Sequence, residues 1–355
     1  MWFDWLSRSK NQVPAAIAQC IADFQPTEMP LPLTQVVQQL EWQDKDHRLT
    51  LTLPFAWQSL SAELLPRLLQ LDPKLQLELR YQNSLPALFK GIKQVILVAS
   101  GKGGVGKSTT AVNVAVAMAQ EGAKVGLLDA DIYGPSIPLM LGLQGQKAES
   151  ADEKHLLPKQ AAGLAVQSIG FLVDPDSATV WRGPMASQAL LQLLNETDWG
   201  ELDYLVVDMP PGTGDIQLTL SQKIPLSGAV IVTTPQDVAL ADAQKAVAMF
   251  NSVRVPVLGL VENMSYYQCK SCGAQDDVFG SQGGLELAQR YQLPVLGQLP
   301  LDTQIRQSGD AGVPLVQQAG SGTENYKQIA RQLIFALYWR SLQQAAAPEI
   351  IFTDD

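Results

Sequence analysis

An apolar run, Val95 to Ala99, passes through Ser100 into Gly101-Lys102-Gly103-Gly104-Val105-Gly106-Lys107-Ser108-Thr109. A helical pattern follows, with Ala111, Val114, Ala115 and Met118 on one face. Strand, glycine loop and helix in this order match the phosphate-loop spacing of Gly, four residues, Gly, Lys and Ser/Thr. The glycines let successive backbone N–H groups converge on phosphate oxygens, and the helix N-terminus adds its positive end. In such a loop Lys107 reaches the β- and γ-phosphates and Ser108 offers its hydroxyl to magnesium. Residues 101 to 109 are therefore expected to bind a nucleotide.

A phosphate loop needs a sheet to launch it, and the chain supplies one. Val95 to Ala99, Val125 to Leu128, Leu164 to Ile169, Tyr204 to Val207, Ala229 to Val232, Val257 to Val261 and Val295 to Leu299 are short continuous apolar runs separated by helical patterns. Runs without alternation are strands buried on both faces, so the expected fold class is α/β, a mainly parallel sheet sandwiched by helices. Its ligands should lie at the carboxyl ends of the strands.

With 355 residues the chain exceeds one typical core, and roughly 150 residues per domain suggests two. The first, residues 1–81, reads as a small α+β domain. Ala15, Ile17, Cys20, Ile21 and Phe24 fall at helical spacing, and Leu49, Leu51 and Leu53 alternate in a strand. Leu60, Leu64, Leu65, Leu68 and Leu69 form a second helix, and Leu75, Leu77 and Leu79 a further strand. Cys20 is expected in this core as a small hydrophobe. Residues 82–93, with Pro86 and Gly91, read as a linker, 94–343 as the nucleotide domain and 344–355 as an acidic tail.

Charge and cysteine usage narrow the setting. With 25 basic against 35 acidic residues the formal charge is -10, which lacks the positive field that drives binding to nucleic acid. The longest apolar run, Leu333 to Trp339, is far short of the roughly 18 residues of a membrane span. The helix around Ile329 to Leu342 leads into Glu349, Asp354 and Asp355, an acidic end unsuited to anionic lipid. Three cysteines build no secreted disulfide framework, and a cytoplasmic location is expected.

Several further polar residues follow buried strands. Lys102 stands early in the loop, Asp129 and Asp131 end the run Leu127-Leu128, Asp208 ends Leu205-Val206-Val207, and Asn263 follows Val257 to Val261. Taken singly, Lys102 is a solvated loop lysine and each aspartate a cap or turn residue. Together the segments resemble the deviant Walker A, switch I and Walker B of the MinD, ParA and nitrogenase-iron-protein group. The resemblance implies that Lys102 acts across a dimer on the facing subunit's nucleotide, much as an arginine finger does. It also implies that Asp129 supports the magnesium shell and Asp131 orients the attacking water. Asp208 then belongs to Walker B, Pro210-Pro211-Gly212-Thr213-Gly214 is switch II, and Asn263 reads adenine.

Cys269-Lys270-Ser271-Cys272 lies in a Gly-rich loop. Two thiolates at this spacing grip a metal or cluster, yet zinc or a four-iron cluster takes four protein positions. Two copies of the chain would complete such a site at a two-fold interface. A redox dithiol and loop cysteines without chemistry are the alternatives. His47 and His155 lie in polar turns and offer no local ligand set.

Three more segments complete a pattern: Asp129 to Ser136, Trp181 to Met185, and Asp208 to Asp215. With Thr233 to Asp237, Glu262-Asn263-Met264 and Cys269 to Cys272, they resemble the Mrp/ApbC-type iron-sulfur cluster carriers over about residues 94 to 320. The resemblance implies a homodimeric ATPase that holds a bridging 4Fe-4S cluster between Cys269 and Cys272 of two subunits. A cluster donor would load it, and apoprotein clients would receive the cluster. The N-terminal domain resembles the iron-sulfur-assembly domain fused in front of many members, without a cysteine in its second half. Arg182 is left between catalysis and pairing with a switch carboxylate. The competing readings are a MinD/ParA-type spatial regulator without metal and an electron-transferring reductase whose cluster cycles oxidation state.

Overall fold

The computed structural model describes residues 13–29, 31–150, 152, 154–172, 183–320 and 322–345. Trp181, Arg182 and residues 346–355 of the acidic end lie outside the described residues. Two compact units emerge, one containing the residues up to Leu85 together with those from Arg331, the other running from Pro86 to Ala330.

In the first unit, α1 (Ala15–Ala22) turns Ile17, Ala18 and Ile21 inward. Strand β2 (Arg48–Leu53) is the centre of a three-stranded sheet, antiparallel to β1 (Gln39–Gln43) and parallel to β3 (Gln76–Tyr81). Leu49, Leu51 and Leu53 are buried, as period-2 alternation demands, and Leu60, Leu64 and Leu68 of α2 (Leu60–Leu71) are buried with them. Cys20 differs from its expected place: it is only half-buried, and partial burial raises its thiol pKa.

The sequence expectation kept residues 94–343 together, whereas the residues from Arg331 group with this first unit. Side-chain contacts supply the reason. Arg331 forms a two-pronged ion pair with Glu28, its Nη2 donating to Oε1 at 2.7 Å, and the Tyr338 ring lies 5.0 Å from that of Phe55.

In the second unit the seven apolar runs all form strands. They are β4 (Ile92–Ala99), β5 (Val125–Asp129), β9 (Leu164–Ser168), β10 (Leu202–Asp208), β11 (Gly228–Thr233), β12 (Val257–Gln268) and β14 (Val295–Pro300). They run parallel in the order β14-β12-β11-β4-β10-β5-β9. Short antiparallel strands extend the two sides, β8 (Lys159–Ala161) on β9 and β13 (Gln275–Asp276) on β12. A separate ribbon pairs β6 (Glu149–Ser150) with β7 (Leu156–Leu157).

The connecting helices are α3 (Lys107–Gln120), α4 (Ile137–Met140), α5 (Gly183–Glu196), α6 (Asp215–Lys223), α7 (Asp237–Ser252), α8 (Gly283–Tyr291) and α9 (Thr303–Asp310). Helix α10 (Thr323–Ala345) begins in this unit. The core joins Val95, Leu97, Leu128, Leu205, Val207 and Ile231 of the sheet to Leu190, Leu194, Ala243 and Phe250 of α5 and α7. Register positions the chemistry: Asp208 pairs with Asp129 on β5 and with Val98 on β4, so both carboxylates end beside the origin of the glycine loop. Among the described residues, no helix is long and apolar enough to cross a membrane.

Candidate functional site

The loop of residues 101–106 is held close to its neighbours at two glycines. A Cβ on Gly101 would fall 2.1 Å from the backbone carbon of Asp242 in α7. Gly106, the N-cap of α3, has φ +86°, and a Cβ there would fall 2.0 Å from Asn263 Nδ2. Only glycine combines that left-handed backbone with so close an approach. Asn263 is buried and its Nδ2 donates to the Val105 carbonyl at 2.8 Å, stitching β12 to the loop.

Lys107 opens α3 and points into a buried carboxylate cluster. Its Nζ donates to Asp208 Oδ1 at 2.6 Å and to Ser108 Oγ at 3.2 Å, and lies 3.7 Å from Asp131 Oδ2. Asp129 Oδ1 accepts from Asp131 N at 3.2 Å, and its Oδ2 accepts from Ser168 Oγ at 3.0 Å and Ile137 N at 3.2 Å. Burial, followed by the adjacent Asp208 charge, raises the Asp129 carboxyl to about 8. Burial likewise raises Asp131 and Asp208 against the opposing pull of Lys107.

The switch segments are anchored at their bases. Ala130 N donates to Asp208 O at 2.9 Å, Gly212 N to Ser100 O at 2.9 Å, and Gln217 Nε2 to Pro210 O at 2.7 Å. Lys102 is half-buried, and its carbonyl accepts from Ser100 Oγ at 2.9 Å. Thr109 lies on α3 one residue beyond Ser108. The loop, Lys107, Ser108, Asp129, Asp131, Asp208 and Asn263 are thus brought to one end of the sheet.

The residues fit a magnesium nucleotide on their own chemistry. Three buried carboxyl groups share one ammonium, and a divalent cation arriving there would favour their ionised forms. Among the described residues, Asp131 Oδ1 and Asp208 Oδ2 are buried without a hydrogen-bond partner. Oxygen donors beside the Ser108 hydroxyl suit a hard divalent cation that also takes phosphate oxygens.

Cys269 and Cys272 stand apart from this cluster, on a tight hairpin between β12 and β13. Cys269 N donates to Ala274 O at 2.9 Å and Gly273 N to Cys269 O at 2.8 Å, with Gly273 at φ +73°. The nearby backbone N–H groups of Cys272 and Ser271 lower the Cys269 thiol pKa, with a smaller contribution from the Cys272 thiol. Cys269 is half-buried and Cys272 exposed, which leaves both open to a ligand. Among the described residues, no three His, Cys, Asp or Glu side chains gather as a metal-holding group. The described residues of one chain therefore offer two thiols here and no third ligand beside them.

Sequence reasoning missed the role of Glu262. This carboxylate is 1% exposed, accepts from Gly284 N at 2.6 Å and Gln298 Nε2 at 3.0 Å, and also bonds Ser265 Oγ. It fixes the irregular stretch of β12 between Asn263 and the hairpin, where Met264 has φ +54°. An acidic residue at the end of an apolar run, with Gly283-Gly284 opening a later helix, was the available signal.

Similarity to known proteins agrees with this geometry. Residues 91–334 match the model of the NUBPL iron-transfer P-loop NTPase family. An iron-sulfur cluster carrier protein of Escherichia coli (strain K12) is 47% identical over 350 residues, covering 94% of this chain and 95% of that protein. The mouse (Mus musculus) iron-sulfur cluster transfer protein NUBPL is 53% identical over 249 residues, covering 69% of this chain and 78% of its own. Among solved structures, an Archaeoglobus fulgidus nucleotide-binding protein in complex with ADP has 39% identity and a TM-score of 0.58. The match covers 66% of this chain and 91% of that one. The MinD cell division protein of Aquifex aeolicus, 24% identical with a TM-score of 0.50 over 68% of this chain and 97% of its own, shares the fold. The chain belongs to the NUBPL-type iron-transfer family of P-loop NTPases.

Proposed function

We propose that the protein is an iron-sulfur cluster carrier and ATPase that works as a homodimer. It holds a 4Fe-4S cluster between Cys269 and Cys272 of two copies and passes it to apoprotein clients after loading by a donor. The observation that carries this reading is the accessible two-cysteine hairpin, in a unit that also contains a complete phosphate loop. Transfer is ligand exchange: client thiolates form bonds to iron as the bonds to Cys269 and Cys272 break, and no electron changes hands. That distinguishes the carrier from an electron-transferring reductase.

In the nucleotide site, the loop N–H groups and Lys107 bind the phosphates, and Lys107 exchanges its Asp208 contact for a phosphate oxygen. Ser108, Asp129 and Asp208 would hold magnesium, which supplies positive charge to the phosphates when bound. Asp131 orients the attacking water through its unpartnered oxygen, and Lys102 of the partner copy stabilises charge on the transferring group. Asn263 reads adenine through its amide. The N-terminal unit is an iron-sulfur-assembly-like domain in this reading, and the setting is the cytoplasm.

Anaerobic reconstitution with iron, sulfide and zinc analysis, together with native mass, tests the assignment. Four iron and four sulfide per dimer are expected. Stoichiometric zinc without sulfide, or a loaded monomer, contradicts it.

A further inference from the structure

Lys270 lies between the two cysteines, and its side chain leaves the hairpin. Its Nζ is 3.1 Å from Asp302 Oδ1 and 3.3 Å from Thr303 Oγ1. Asp302 is 8% exposed on its side chain, and its Oδ1 also accepts from Gln304 N at 2.8 Å, capping α9. The cysteine hairpin is thereby tied to the first turn of α9.

Beyond the other end of α9, the chain presses on the segment following α4. A Cβ on Gly312 would fall 2.8 Å from Gly142 N and 3.1 Å from Leu139 O, so backbone meets backbone there. Helix α4 in turn begins at Ile137, whose N–H donates to Asp129 Oδ2. Asp129, α4, α9, Asp302 and Lys270 form an unbroken series of contacts within one unit, from the nucleotide carboxylates to the cysteines.

We propose that the Lys270–Asp302 pair is the joint through which nucleotide occupancy reaches the cluster cysteines, with Asp302 a positioning residue. The inference rests on the cluster-carrier reading. Lys270 is 58% exposed, and water screens such a pair, so the joint is weak. A weak joint is shifted readily by a ligand that prefers one arrangement of α4 and α9. Its release loosens the hairpin and opens the cluster to client thiolates.

The test uses the full-length dimer, loaded anaerobically, with apo-aconitase as the acceptor of a four-iron cluster. Transfer rate is measured with and without ATP, alongside iron and sulfide content and ATP turnover. The unmodified protein should transfer about 5-fold or more faster in one nucleotide condition than in the other. Asp302→Asn keeps an N-capping oxygen while removing the charge, and Lys270→Ala removes the other partner. Both should retain cluster and ATP turnover while the ratio of rates falls to about one, and Lys270→Arg should preserve the ratio. An unchanged ratio in Asp302→Asn and Lys270→Ala overturns the proposal, as does a ratio of one in the unmodified protein. Loss of cluster in both variants makes the pair simple scaffold and overturns it too. Failure of the unmodified protein to take up any cluster refutes the carrier reading instead.

Discussion

Lys107 Nζ lies 2.6 Å from Asp208 Oδ1 with both side chains buried, so the ammonium at the end of the glycine loop is held by the carboxylate that ends the neighbouring strand. The pair fixes the lysine at the start of α3. It also makes Asp208 dependent on Lys107 for charge compensation.

Lys107→Ala should reduce ATP turnover by on the order of 100-fold or more, because it removes a cation aimed at transferring charge. It also strands a buried carboxylate, a loss of about 3–5 kcal/mol where no proton is taken up. Adding Asp208→Asn should recover much of the melting temperature without recovering turnover. Wild-type turnover in folded Lys107→Ala protein would refute the role of this lysine.

The stability of the nucleotide-free protein should fall as pH rises through neutrality. Asp129 has its pKa raised from 3.8 to about 8, so between those values the folded state holds a proton that the unfolded chain has released. The unfolded state then binds fewer protons, and unfolding becomes easier with each step up in pH until the folded carboxyl ionises near 8. Thermal melts from pH 5 to 9 should show this decline, and Asp129→Asn should reduce it, since Asp131 and Asp208 are raised in the same direction. A slope unchanged in the variant would remove Asp129 as its source.

Mixed dimers test action across the interface. Lys102→Ala and Asp131→Ala proteins should each be inactive, yet their mixture should regain activity, since one site of the heterodimer combines an intact lysine with an intact aspartate. Verified heterodimers without turnover would contradict action in trans.

Thiol reactivity should separate the three cysteines. Nearby backbone N–H groups lower the Cys269 pKa, whereas partial burial raises that of Cys20. Brief alkylation near pH 7, followed by peptide mass analysis, should modify Cys269 before Cys20. Cluster loading should protect Cys269 and Cys272 and leave Cys20 unchanged. Equal protection of all three would argue against a hairpin-bound cluster.

The seven parallel strands were legible because burial on both faces writes itself as unbroken apolar runs such as Val95 to Ala99. Strand β1 was not, since Leu40 and Trp42 are buried among Gln39, Glu41 and Gln43 in only five residues. The two-residue strands β6 and β13 are polar and β7 is only the pair Leu156-Leu157, so all three follow from pairing rather than composition. In the site, the glycine loop and strand-end aspartates carry their chemistry in local spacing. The Lys107–Asp208 pair and the Glu262 contacts do not, because their partners are 101 residues and, for Gly284 and Gln298, 22 and 36 residues away. The boundary at Arg331 was hidden similarly: a continuous helical pattern cannot show that its later residues pack with Glu28 and Phe55.

Strand β12 carries Asn263 against the glycine loop and, six residues later, leads into Cys269. At about 3.3 Å per residue, six residues span at most about 20 Å, and the left-handed turn at Met264 shortens that reach. The hairpin closes through hydrogen bonds between its own residues 269, 273 and 274. In the cluster-carrier reading, nucleotide contact and cluster grip therefore lie on one strand and on the hairpin that follows it, with no phosphate-loop residue belonging to the grip. A hairpin of different ligand chemistry, spliced in after Gln268, would change what the protein carries while leaving its nucleotide site in place.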